Sequence, residues 1–181
     1  AHTDEQLKAV DAATTGTITF YGGGGGDEND PLKGTAADLI SKLSNIKDHK
    51  GKVTITDAPT LAQLKFINNN TTGHITLEVT NGELKGPAAD LVEAFAGTIT
   101  QHTGKVTVAD AHDLAQLRAI NDATSGTIKF QNYSIPLTGS PADVVAALSG
   151  SFIATYNGNI VFTSAHTDEQ LKAVDAATTG T

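Results

Sequence analysis

The segment Ala1–Thr17, AHTDEQLKAVDAATTGT, returns letter for letter as Ala165–Thr181. A phrase met twice at such a distance is a phase mark in a tandem array, so periodicity has to be settled before any other reading. An array of stacked repeats buries its apolar faces between neighbours, and each repeat must therefore offer the same contacts to the repeat before and after it.

The phrase opens with Thr3-Asp4-Glu5-Gln6, a capping box in which a hydroxyl and a glutamine side chain satisfy free N–H groups at a helix start. Leu7 and Val10 then share one helical face, Gly16 fits a left-handed C-terminal cap, and Thr17-Ile18-Thr19-Phe20 alternates as a half-buried strand does. The same order of signals recurs from Thr60, with Leu64, Ile67, Gly73 and Ile75/Leu77, and from Asp113, with Leu117, Ile120, Gly126 and Ile128/Phe130. It begins a fourth time at Thr167.

Between these phrases runs a second one. Helices are expected from Thr35-Ala36-Ala37-Asp38-Leu39, Pro87-Ala88-Ala89-Asp90-Leu91 and Ser140-Pro141-Ala142-Asp143-Val144, each just after a glycine. They lead through Ile46, Ile99 and Ile153 to Gly51, Gly104 and Gly158, and then to strands at Val53/Ile55, Val106/Val108 and Ile160/Phe162. Helix–strand–helix–strand without hairpin turns demands crossovers, hence parallel strands on a right-handed path. The expected fold is a right-handed α/β solenoid with a parallel sheet of six strands in one row. Its repeats would span 1–56, 57–109 and 110–164, with a partial fourth, 165–181, as a C-terminal cap. Extra extended pieces around Leu32, Leu84 and Leu137 suit a second short strand in the longer half-coils.

Composition closes several functional classes. The net charge of -8 argues against a nucleic-acid partner, whose phosphates call for clustered Lys and Arg. No run of about 18 apolar residues offers a membrane span, and the absence of cysteine removes disulfide scaffolds and thiolate metal sites. With no initiator Met and no leader pattern, the chain is expected to be part of something longer.

Candidate sites are few. The first repeat carries an insertion, Tyr21 to Pro31, in which Gly22–Asp30 fits most of a calcium nonapeptide. Asp27, Asn29 and Asp30 would be its ligands, but Asn29 stands where a large apolar residue belongs and only one copy exists. The same glycines lack the lysine and hydroxyl of a phosphate loop. His2, His112 and His166 recur before helix caps, and His49, His102 and Tyr156 recur before strands; repeat-related side chains spread along an axis, so these read as structural ladders and not as zinc ligands. Asp11, Asn68 and Asn121, after the last apolar residue of their helices, read as side chains that bond nearby backbone. On the sheet face away from the helices, Thr19, Thr54, Thr76, Thr107, Lys129 and Val161 are expected in one file, and the first five form the candidate binding face. Thr-x-Thr spacing there is also what an ice-binding surface uses. No residue is nominated as catalytic, because no nucleophile turn or carboxylate pair is set in a pocket pattern.

At AVDAATTGTITF, INNNTTGHITL and GTAADL the chain resembles the tandem repeats of very large bacterial proteins, of a cyanobacterial type, that are secreted or held at the cell surface. The likeness covers all three repeats, and its motifs are caps and core positions. It implies an extracellular or surface location and a non-enzymatic stalk, spacer or filament, adhesin-like in setting, with no cofactor carried over. Head-to-tail association with itself follows from the repeated terminal phrase. The alternative is a binding module that uses the Thr face or a concave side for glycan, ice or a protein partner.

Overall fold

A computed structural model describes residues 4–16, 31–44, 46 and 48–181. Among the described residues it is a mixed α/β structure of seven helices and three small parallel sheets, without a closed barrel. The chain forms two compact units, Ala1–Gly82 with Glu93–Thr100, and Glu83–Val92 with Gln101–Thr181.

The first unit holds α1 (Asp4–Ala13), β1 (Leu32–Gly34), α2 (Ala36–Leu43), β2 (Val53–Ile55), α3 (Leu61–Asn69) and β3 (Ile75–Leu77). The second is built from β4 (Leu84–Gly86), most of α4 (Ala88–Ala94), β5 (Val106–Val108), α5 (Leu114–Ala123), β6 (Ile128–Phe130), β7 (Leu137–Gly139), α6 (Pro141–Leu148), β8 (Ile160–Phe162) and α7 (Asp168–Ala177).

Helix starts follow the capping chemistry. Thr60/Gln63, Asp113/Gln116 and Thr167/Gln170 each form the reciprocal box, while Thr35 and Ser140 accept from the N–H of Asp38 and Asp143. The Thr3 cap, the Ile18/Phe20 strand, Thr19, His2 and the Gly22–Asp30 loop with Asp27, Asn29 and Asp30 all lie outside the described residues.

Val53, Ile55, Ile75, Leu77, Val106, Val108, Ile128 and Phe130 are all buried, as their alternation predicts. The pairing differs from a single row of six. β1, β2 and β3 form one parallel sheet, β4, β5 and β6 a second, and β7 and β8 a third. The extended pieces at Leu32, Leu84 and Leu137 are therefore full partners that start each sheet. On its far side β3 is met by Ile99 through a single bridge, and β6 by Phe152 in the same way. The residue equivalent to Ile99 is thus Phe152, not Ile153, whose side chain is exposed. The third repeat has one more residue between Phe152 and Tyr156 than the second has between Ile99 and His102, and this shifts the register.

The recurrent glycines have a different cause from the one their position after a helix suggests. Among the described residues only Asp48 and Gly97 have positive φ, 58° and 73°, so Gly16, Gly73, Gly126 and Gly180 are not left-handed caps. A Cβ at Gly73, Gly126 or Gly180 would instead fall far inside van der Waals contact with the carbonyl oxygen of Gly51, Gly104 or Gly158. These glycines let two stretches of backbone 22 residues apart lie against each other.

A recurrent link between elements has no counterpart among the sequence expectations. The Asp57 carboxylate accepts from the Ala36 N–H (2.8 Å), and Asp110 accepts from Ala88 in the same way (2.8 Å). In the third repeat the acceptor position is Ser164 and the donor position is Pro141, which has no N–H. Acid and donor disappear together, as expected if the bond were the reason for the acid. Comparing repeats for paired changes would have exposed it.

Candidate functional site

The face expected to carry a threonine file is assembled in pieces. Lys33, Thr54 and Thr76 lie abreast on the first sheet, Lys85, Thr107 and Lys129 on the second, and Thr138 and Val161 on the third. Lysine therefore precedes threonine on both larger sheets, a neighbour invisible until β1 and β4 are known as strands. Thr54 and Thr76 are half-buried and Lys129 is exposed, but Thr107 is buried, contrary to an open face. Its hydroxyl donates to Glu83 (3.1 Å), which also takes the Lys105 ammonium at 2.9 Å. The Lys105 hydrogen bond holds the Glu83 carboxyl below the usual carboxylate range, against a smaller opposing effect of desolvation. Lys33 meets Glu78 at 2.6 Å, and the Thr76 hydroxyl pairs with His74 Nδ1 at 3.2 Å. The surface is thus a mixture of ion pairs and hydroxyls.

His49, His102 and Tyr156 occupy equivalent places and bridge in parallel to Thr71, Thr124 and Thr178. The hydroxyls of Thr124 and Thr178 donate to the carbonyls of His102 (2.9 Å) and Tyr156 (2.7 Å), 22 residues back in each case. The ladder reading holds for these three, and all are buried. Among the described residues no three His, Asp or Glu side chains converge as a metal ion would require.

His112 has a setting of its own. Its ring stacks on Phe130 at 4.5 Å, and Nε2 lies 3.1 Å from the Tyr156 hydroxyl. That hydroxyl donates its single proton to the Ile135 carbonyl (2.6 Å), so Nε2 must carry the hydrogen between the two rings. Burial pushes the His112 pKa down, opposed by the Asp110 backbone and by the carboxylates of Asp110 and Asp113, and burial raises the Tyr156 phenol to about 12. His112 is neutral at pH 7, and the arrangement is a packed, hydrogen-bonded core. A pH effect follows. Because the folded pKa lies below the ordinary 6.5, acid protonates the unfolded chain first. The stability contributed by neutral His112 is complete above pH 6.5, declines as pH falls through that value, and levels off below the folded pKa. Denaturant titrations at about pH 8 and about pH 5 should show a smaller acid loss for His112→Phe than for the parent chain. Equal losses would mean that His112 does not titrate between the two states.

Asn68 and Asn121 do not bond nearby backbone. Asn68 Nδ2 donates to the Glu93 carbonyl (2.7 Å), and Asn121 Nδ2 to the Ala146 carbonyl (3.2 Å), each 25 residues ahead in the last turn of the next helix. An asparagine after the last apolar residue of a helix fits both a local turn and such a reach, and the pattern alone cannot separate them. The Asp11 side chain lies outside the description.

A groove of about 630 Å³ lies on the second unit, with Asp113, Leu114, Arg118, Asp122, Thr138 and Asp143 among its lining residues. Its charges are already engaged. Arg118 pairs with Asp143 and lies 3.8 Å from Asp122 one turn on; Asp113 caps α5 through Gln116, and Asp143 accepts from the Ser140 hydroxyl. Beside these acids and the guanidinium, the lining carries the hydroxyl of Thr138. Compared with known protein families, with characterised proteins and with solved structures, the chain matches none. No helix among the described residues is long and apolar enough to cross a membrane.

Proposed function

We propose that the chain is a non-enzymatic structural segment, a stalk or spacer built as a right-handed α/β solenoid, within a large extracellular or cell-surface protein. One observation carries this reading: the polar side chains that recur from repeat to repeat join one coil to the next. Asp57 and Asp110 reach back 21 and 22 residues, Thr124 and Thr178 reach back 22, and Asn68 and Asn121 reach forward 25. A catalytic chain gathers its interacting polar side chains where a substrate would sit; here they are spread out at the repeat interval. Regular coil-to-coil bonding supports the stacking that a solenoid needs, and a solenoid lengthens by adding repeats without altering those present. The surface setting is supported by the resemblance of the phrases, and calcium is not part of the proposal. Small-angle scattering tests it. The spacer reading expects an elongated particle, with a radius of gyration above the roughly 16 Å of a globular chain of this length. A value at the globular figure would overturn it.

A further inference from the structure

Identical sequences occupy unequal places in this chain. Val174, in α7, packs into the second unit and is 5% exposed, whereas Val10, the same residue of the same phrase in α1, is 49% exposed. The end of the C-terminal copy is fastened as well. The Thr178 hydroxyl and the Thr179 N–H both bond the Tyr156 carbonyl, the Ile160 N–H bonds the Thr181 carbonyl, and Gly180 lies against Gly158. Among the described residues, a Cβ at Gly16 would meet only the Thr14 hydroxyl, at 3.4 Å. At the valine and glycine positions, among the described residues, the C-terminal copy is the more closely packed of the two.

We propose that the seat formed by α6, Tyr156, Gly158 and Ile160 is an interaction surface for the Ala1–Thr17 segment of a second copy of this chain, which enters when Ala165–Thr181 leaves. The two segments have the same 17 residues, so every contact made by the resident is available to the incomer, with Val10 in the place of Val174. Leaving its own place costs the incomer little apolar burial at Val10, which is half-exposed there. This is segment exchange between copies, and it links them head to tail in open chains or closed rings. The resident has the advantage of tethering, equivalent to a local concentration of about a millimolar, so the parent chain stays monomeric in dilute solution. The inference goes beyond the spacer reading, since a compact particle could exchange the segment equally well.

Weakening the resident alone provides the test. Val174→Asp places a carboxylate at a buried position of α7 and leaves Ala1–Thr17 intact. Sedimentation of the full-length variant should show its mean mass rising to at least about twice the monomer's as concentration increases to about 100 μM. Val10→Asp, at an exposed place, should sediment as the parent does, and Val10→Asp combined with Val174→Asp should lose the association. A synthetic peptide of Ala1–Thr17 in excess should return the Val174→Asp oligomers to monomers. If Val174→Asp remains monomeric, or if its association survives Val10→Asp or the peptide, the exchange does not occur. None of these outcomes bears on particle shape, which scattering decides separately.

Discussion

Gly126→Ala should be among the most damaging single changes in this chain, at a cost of about 3 kcal/mol or more, although it adds one methyl group. The Cβ would be forced into the Gly104 carbonyl oxygen and the backbone around Thr103, neither of which is the far end of a flexible side chain that can swing aside. Relief requires the coils to part at β6, where the Gly126 N–H also bonds the Thr124 hydroxyl and Thr124 bonds the His102 carbonyl. Three contacts at one point would move together. Gly16→Ala, the same substitution in an equivalent sequence position, should change stability by about 0.5 kcal/mol or less, because among the described residues its Cβ would meet only the Thr14 hydroxyl, at an ordinary contact distance. Denaturant melts of the two variants beside the parent measure the contrast. Equal effects would mean that the glycine is required by its own backbone conformation and not by the neighbouring coil.

That pair of glycines also shows what the sequence made legible and what it withheld. The spacing of caps, apolar pairs and glycines located the described helices and strands, because each signal is local: Thr60 with Gln63, or Val53 with Ile55, can be recognised within one turn or one strand. The partners of those elements are not local. Nothing near Gly126 says that the carbonyl of Gly104 lies against it, and a glycine after a helix is also the usual mark of a left-handed cap. Thr107 is expected on an open face because alternation places it opposite Val106 and Val108; it is instead buried and bonded to Glu83, which also pairs with Lys105. The threonine file broke into three for the same reason. Its first members, Lys33 and Lys85, sit on strands of three residues whose only sequence sign was one buried leucine each. The candidate site was less legible than the fold, since a surface is defined by what lies beside it.

The leucine and valine columns of the repeated phrase convert this dependence on neighbours into numbers. Leu64 and Leu117 are fully buried, and Leu171, at the same place in the phrase, is 47% exposed. One position later in the pattern, Ile67 and Ile120 are fully buried and Val174 nearly so, yet Val10 is not. Among the described residues α3 packs against α2 and α5 against α6, while α7 packs against α6 and α1 against α2. The two faces of the phrase are thus filled by different neighbours, one preceding and one following. Leu117→Ala should cost about 3–4 kcal/mol, from lost transfer energy and a cavity that both neighbouring coils keep open. Leu171→Ala should cost under about 1 kcal/mol, since water already reaches the side chain. Val174→Ala should cost about 1–2 kcal/mol and Val10→Ala less than about 0.5 kcal/mol, although the surrounding letters are the same. Denaturant melts of the four variants would rank them. If Leu171→Ala proved as damaging as Leu117→Ala, α7 would have to be covered on its outer side, and an associated copy would be the first occupant to look for. If Val10→Ala matched Val174→Ala, the two copies would be equally seated, and the asymmetry that drives segment exchange would be gone.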